Sequence, residues 1–95
     1  MGERREFTWD EAKAASNLGK HGVSFAYATR AFLDPGRVEL DATRPDDREV
    51  RRKVIGAIEG RVFAVVYTER HGGIRIISAR RCNAQEGKAY GAVYP

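Results

Sequence analysis

The stretch that decides the fold is residues 50–81, VRRKVIGAIEGRVFAVVYTERHGGIRIISARR. It contains three segments rich in β-branched and aromatic residues, at about 50–58, 61–70 and 74–81, separated by Glu59-Gly60 and by Gly72-Gly73. Glycine readily adopts the positive φ that tight hairpin turns require. The pattern therefore predicts three consecutive antiparallel strands.

The residues before this stretch predict two helices between two short strands, which we place at 6–9 and 38–40. Asp10 is positioned to cap a helix over about 11–20, and Ser24 to cap a second helix that runs to about residue 33. After the three strands, Asn83 and Glu86 have the spacing of a capping box that opens a last helix over about 84–92.

The resulting element order is β-α-α-β-β-β-β-α. It predicts a single α+β domain over residues 1–95, with an antiparallel sheet of about four strands. We expect the N-terminal helix pair to pack on one face of this sheet and the short C-terminal helix to follow it.

Two-residue turns at both glycine-containing positions would decide which side chains share a face of the sheet. One face is then apolar, with Gly56 leaving room for the ring of Phe63, and Arg80 also falls on this side. Its apolar members are Val54, Ile58, Phe63, Val65, Tyr67, Ile74 and Ile76. The opposite face carries five cations, Arg51, Lys53, Arg70, Arg75 and Arg81. A three-residue turn at 71–73 is the alternative, and it would exchange the faces of residues 75 and 81.

The charge of the chain is divided along its length. Residues 1–50 contain 8 Lys and Arg against 10 Asp and Glu, whereas residues 51–95 contain 9 against 3. A sheet with this surplus of arginine favours a polyanionic partner such as nucleic acid. An ordinary solvated surface and an acidic protein partner remain alternatives, because charged residues often line exposed sheet faces.

The composition restricts the class of protein further. A chain of 95 residues with 42% hydrophobic side chains can form one small core. The single cysteine, Cys82, excludes an internal disulfide, and with only two histidines it gives no metal-ligand spacing. The N-terminus has no apolar signal segment and no stretch approaches membrane-spanning length, so we expect a cytoplasmic protein.

Several motifs resemble those of one family. The segments FTWDEAK at 7–13 and NLGKHGVSF at 17–25 resemble the opening of the BrnT family of bacterial toxins. VVYTER at 65–70 and RIISARR at 75–81 are similar to the closing strands of that family, and Glu86 and Tyr90 match its final helix. The resemblance extends over residues 6–91. Gly19 departs from it, since a larger and often basic residue is expected there.

The resemblance implies a RelE-like fold and a metal-independent ribonuclease that stops translation by cutting mRNA. It also implies neutralisation by a cognate antitoxin, in a complex that can bind operator DNA and repress its own operon. A non-catalytic RNA- or DNA-binding module and a protein-interaction subunit are the alternatives.

Metal-free RNA cleavage requires cations for the developing phosphorane charge and groups that carry protons. His21 suits proton transfer because imidazole changes charge near neutral pH, although a histidine at a helix end commonly caps the last carbonyls. Tyr67 and Tyr90 could stack on bases or donate protons, but both are also typical of core edges. Arg80 could equally have a structural role in packing. The candidate catalytic residues are His21, Arg70, Arg80, Arg81 and Tyr90, and the candidate RNA-binding residues are Lys20, Arg51, Lys53, Tyr67 and Arg75. We expect no metal ligand and no cofactor.

Overall fold

The structure is a computed structural model in which residues 6–93 are described, with side chains through residue 91. These residues form one sheet with helices on both of its faces.

The sheet has five strands and is mixed, so the prediction of about four antiparallel strands is wrong in both respects. The first strand lies parallel to the last, because the N–H of Ile74 donates to the carbonyl of Glu6 at 2.8 Å and brings the N-terminal segment to the sheet edge. All other neighbouring strands are antiparallel. In the spatial order β1-β5-β4-β3-β2, the strands are β1 (Phe7–Thr8), β5 (Gly73–Arg81), β4 (Arg61–Arg70), β3 (Arg52–Ile58) and β2 (Val38–Asp41).

The helices begin where their capping residues predict. Asp10 accepts a hydrogen bond from the N–H of Lys13 at the start of α1 (Glu11–His21). Ser24 caps α2 (Phe25–Ala28), which continues as a 3-10 helix (Thr29–Leu33), so the expected second α-helix is α-helical over its first turn alone. The last helix is α3 (Ala84–Val93).

Both hairpins have two-residue turns, but the second turn lies one residue earlier than predicted. Glu59 and Gly60 have φ of 53° and 80°, and His71 and Gly72 have φ of 51° and 79°. Gly73 is instead the first residue of β5, where a Cβ would lie 2.8 Å from the carbonyl oxygen of Glu6. This glycine is therefore required by the close approach of β1 rather than by a turn.

A β-bulge in β5 reverses the faces of the last two arginines. Tyr67 pairs with Ile76 and Val66 pairs with Ser78, which leaves the intervening residue of β5 without a partner. Beyond this point Arg80 lies opposite Ala64 and Arg81 lies opposite Phe63. The predicted placements of both arginines are wrong, because one additional residue inverts the remainder of a strand.

The apolar face predicted for the sheet is confirmed, and we call it the helix face. Its residues are all between 0% and 4% exposed and pack against α2 and the 3-10 helix; they are Val54, Ile58, Phe63, Val65, Tyr67, Ile74 and Ile76. Gly56 provides space for the backbone of the 3-10 helix rather than for the ring of Phe63, because a Cβ there would lie 2.5 Å from the carbonyl oxygen of Ala31.

The opposite face, which we call the α3 face, is partly covered by α3. This helix packs on β2 and β3, and its capping box forms as predicted: the N–H of Asn83 donates to Glu86, and the N–H of Glu86 donates to Asn83. The Glu86 side chain points toward the sheet and is 4% exposed. The α3 face is therefore not the bare cationic surface that the charge pattern predicts.

Candidate active site

A cavity of about 530 Å³ opens between the end of α1, the start of α2 and the ends of β4 and β5. Basic and aromatic side chains dominate its walls. The lining residues are Leu18, His21, Gly22, Val23, Ser24, Tyr27, Arg61, Phe63 and Arg81. A volume of this order is within the range of small-molecule sites and is sufficient for a nucleotide.

Three basic side chains reach the cavity from three different elements. His21 is the last residue of α1, where Gly22 ends the helix at φ 69° and donates its N–H to the carbonyl of Leu18. Arg61 is the first residue of β4, and Arg81 is the last residue of β5. No described carboxylate lies within 4 Å of any of the three. The cavity therefore has a surplus of positive charge at its mouth.

Two aromatic rings, those of Tyr27 and Phe63, line the cavity. The guanidinium carbon of Arg81 lies 5.7 Å from the centre of the Phe63 ring, and the Tyr27 ring meets Phe63 edge-on at 5.7 Å. The Tyr27 hydroxyl donates to Glu59 at 2.6 Å, and this hydrogen bond raises the pKa of Tyr27. The contact with Phe63 keeps the guanidinium of Arg81 over the cavity, while its remaining N–H groups stay available to an anion.

A buried asparagine fixes the position of α1 against the sheet. The Asn17 side chain is 8% exposed and donates to the carbonyls of Val23 at 3.0 Å and Ala79 at 2.8 Å. Its Oδ1 accepts from the N–H of Ala79 at 3.1 Å. These bonds hold the end of α1 beside the end of β5, and so they bring His21 and Arg81 to one cavity.

Four cations of the α3 face are paired with carboxylates of the chain. Lys53 and Arg80 lie beneath α3 and share Glu86, at 2.8 Å and 2.7 Å. Burial alone would raise the pKa of Glu86, but the hydrogen bonds from these two cations outweigh it and lower the pKa to about 2. Two further pairs, Arg51 with Asp47 and Arg70 with Glu49, lie at 3.3 Å and 2.7 Å.

The remaining candidates do not line the cavity either, and Lys20 is exposed in the last turn of α1, next to His21 in the sequence. Tyr67 is in the core, where burial and a hydrogen bond to Glu39 raise its pKa to about 12. The residue is 2% exposed and does not line the surface of the free chain, and its role in RNA binding stays a prediction. Tyr90 of α3 donates to Asp34 at 2.7 Å. Arg75 lines a separate hollow near the second hairpin.

Residues 9–86 match the family model described as the ribonuclease toxin, BrnT, of type II toxin-antitoxin systems. The chain belongs to the BrnT family. It is a ribonuclease toxin, and the family implies an RNA substrate and a cognate antitoxin. No curated protein sequence matches closely enough to add a relative to this finding.

The BrnT match covers every residue that lines the cavity, and it ends at Glu86, before Tyr90. Across residues 6–93, the helices are too short or too polar to cross a membrane. In the same part of the chain, no three His, Cys, Asp or Glu side chains are grouped so that they would hold a metal ion.

Sequence patterns identified some of the cavity residues and missed others. His21 and Arg81 were selected by residue type and are brought together. Arg61 and Tyr27 were missed as site residues, although Arg61 follows a predicted hairpin turn and therefore falls at a strand end. No pattern in the sequence distinguishes Asn17 as a buried residue, because a polar residue within a helix usually faces solvent.

Proposed function

We propose that this BrnT-family chain is a metal-independent endoribonuclease that cuts mRNA in the cavity between α1, β4 and β5. The observation that carries the proposal is the convergence of His21, Arg61 and Arg81 on one cavity without a described carboxylate partner. Unpaired cations beside aromatic rings suit a phosphodiester and the base attached to it.

The reaction that these groups support is attack of a ribose 2′-hydroxyl on the adjacent phosphorus. The bond from phosphorus to the 5′-oxygen breaks, leaving a 2′,3′-cyclic phosphate and a 5′-hydroxyl. Arg61 and Arg81 stabilise the negative charge that develops on the phosphorane, because both present N–H donors to the same space. His21 carries a proton to or from the reacting oxygens, and Tyr27 and Phe63 contact the base.

The proposal is tested with a 5′-labelled RNA in the presence of EDTA and a matched pair of histidine variants. His21→Asn should slow cleavage by about 10²-fold or more, the usual contribution of a proton-transferring group. His71→Asn is the control, because His71 lies in the hairpin turn with positive φ, a conformation that asparagine tolerates.

Cleavage in EDTA with a 2′,3′-cyclic phosphate end is the expected result. A requirement for added metal, or equal cleavage by the two histidine variants, would contradict the proposal. The proposed cleavage of mRNA takes place in the cytoplasm.

We further propose that the domain has the RelE-like arrangement that the sequence resemblance implies, and that the toxin binds operator DNA only in complex with its antitoxin. Support for the second point comes from Arg51, Lys53, Arg70 and Arg80, which are already paired with carboxylates of the chain. A gel-shift assay with an operator fragment should give a shifted band for the complex and none for the toxin alone. A shift by the toxin alone at the same concentration would contradict this.

A further inference from the structure

A hydrogen-bonded carboxylate, that of Glu59 in the first hairpin turn, lies at the rim of the cavity. Its Oε1 accepts from the Tyr27 hydroxyl at 2.6 Å and lies 3.6 Å from Nη1 of Arg30. Tyr27 lines the cavity, and so does Arg61, two residues after Glu59 in the chain. The carboxylate is therefore attached to a wall of the cavity, although Glu59 is not itself a lining residue.

The Glu59 carboxylate has a defined position and remains able to accept further hydrogen bonds. The backbone of Glu59 has φ of 53°, a left-handed conformation that is uncommon for residues other than glycine, and the bond to Tyr27 holds the far end of the side chain. The side chain is 62% exposed, and none of the described residues donates a hydrogen bond to its Oε2. A ligand in the cavity can therefore reach a carboxylate that the chain leaves half unused.

The polar groups at this part of the rim favour a base that offers hydrogen-bond donors. The Tyr27 hydroxyl already donates its proton to Glu59, so its oxygen can act toward a ligand only as an acceptor. The Glu59 carboxylate is an acceptor as well. The adjacent donor is Arg30, whose guanidinium carbon lies 5.3 Å from the centre of the Tyr27 ring. The rim thus presents acceptors side by side, with a donor next to them.

Guanine is the RNA base whose edge matches this arrangement. Its Watson–Crick edge carries two adjacent donors, N1–H and the 2-amino group, beside the acceptor O6, and a carboxylate can accept from both donors through its two oxygens. Adenine and cytosine each place one amino donor next to a ring nitrogen that accepts. Uracil has one donor, N3–H, between two carbonyl oxygens. A carboxylate that faces any of these three bases would meet an acceptor, which is unfavourable.

We propose that Glu59 makes the cavity selective for guanine, at the nucleotide whose 2′-hydroxyl attacks the phosphorus. The Tyr27 ring contacts the base, and the Tyr27 hydroxyl holds the Glu59 carboxylate at the edge of that base. This inference rests on the proposed function of the cavity, because it specifies the base that accompanies the reacting phosphate.

The selectivity is tested with pentanucleotides that contain one ribonucleotide among four deoxythymidines. Cleavage can occur only after the ribonucleotide, because it alone has a 2′-hydroxyl, and its base is guanine, hypoxanthine, adenine, cytosine or uracil. Guanine should give a kcat/KM about tenfold or more above adenine, cytosine and uracil, as expected for a good bidentate contact to a base. Hypoxanthine lacks the 2-amino group and should fall between guanine and the other three.

Glu59→Gln and Glu69→Gln form a matched pair of variants, since each removes one negative charge from an exposed position. Glutamine keeps the length of the side chain but replaces one acceptor oxygen with an amide that donates. Glu59→Gln should reduce the preference for guanine to less than about threefold. Glu69→Gln should keep the preference, because Glu69 lies at the far end of β4. Faster cleavage of all five substrates by Glu59→Gln with unchanged ratios would overturn the proposal, because it would show a general effect of charge.

Binding distinguishes failure of this inference from failure of the proposed function. Pentanucleotides made entirely of deoxynucleotides, with the same five bases, cannot be cleaved, and fluorescence anisotropy measures their Kd. A wild-type chain that does not cleave, but binds the guanine oligonucleotide about tenfold more tightly unless Glu59 is replaced, would refute the ribonuclease assignment and leave the guanine site in place. Cleavage with equal kcat/KM for the five bases would overturn the guanine site alone. Equal affinities without cleavage would overturn both.

Discussion

Replacing Glu86 with glutamine should weaken the attachment of α3 to the sheet in a pH-dependent way. Glu86 accepts hydrogen bonds from Arg80 at 2.7 Å and 2.8 Å, from Lys53 at 2.8 Å and from the N–H of Asn83 at 2.9 Å. Glutamine keeps the shape and can preserve the capping box, but it removes the negative charge that the two cations share.

The magnitude follows from the pKa of the carboxyl group. Burial would raise the pKa of Glu86, but the hydrogen bonds from Arg80 and Lys53 lower it from 4.5 to about 2 in the folded chain. Because the folded pKa is the lower one, the stabilisation is fully present above pH 4.5 and is lost as the pH falls through 2. The difference between the two pKa values corresponds to about 3 kcal/mol of unfolding free energy above pH 5, and to about 1.5 kcal/mol at pH 3.

Urea unfolding followed by circular dichroism measures this directly. Glu86→Gln should be less stable than the wild type by about 3 kcal/mol at pH 7, and the deficit should shrink by about half at pH 3. Glu69→Gln, at an exposed position of β4, is the matched control and should change stability by less than about 0.5 kcal/mol. A deficit of the same size at both pH values would refute the reasoning, because it would arise from packing rather than from the ionised carboxylate.

Three further stability predictions follow from the fold. Asn17→Ala should lower the unfolding free energy by about 2–4 kcal/mol in urea, because it removes three buried hydrogen bonds, while exposed Ser16→Ala should have little effect. Gly56→Ala should destabilise by about 1–3 kcal/mol, since the added Cβ would lie 2.5 Å from the carbonyl oxygen of Ala31. Gly19→Ala should instead raise Tm, because no described atom beyond the chain neighbours of Gly19 and the backbone of α1 would lie within 4 Å of the added Cβ, and alanine is favoured in helices by up to about 1 kcal/mol. Equal effects of the two glycine substitutions in thermal denaturation would contradict the last two expectations.

Most of the helix starts and turns were predictable, because each is specified by a few residues that are close together in the sequence. The capping residues Asp10, Ser24 and Asn83 each start a helix where the sequence indicates, and Glu59-Gly60 forms the expected turn. The parallel addition of β1 was not predictable, because a two-residue strand is specified by its contact with Gly73 and not by its own pattern.

Residue type was sufficient to select candidates for the site, but the predicted strand register placed one of them on the wrong face of the sheet. Arg81 was assigned to the α3 face, and the bulge in β5 moves it to the cavity beside His21. A bulge without a glycine leaves no mark in an apolar run such as Ile76-Ile77. The ion pair between Lys53 and Glu86 could not be predicted from the sequence either, since the two residues are 33 positions apart.

The claim that the cavity is the active site is tested most directly by comparing RNA cleavage in EDTA by the Arg81→Ala and Arg80→Ala variants. The two arginines are adjacent in sequence and lie on opposite faces of the sheet, so each controls for the other. Arg81→Ala should reduce the cleavage rate by about 10²-fold with little change in Tm, whereas Arg80→Ala should cleave normally and unfold at a lower temperature. Loss of cleavage in Arg80→Ala with normal cleavage by Arg81→Ala would place the reaction on the α3 face and contradict the assignment of the cavity as the active site.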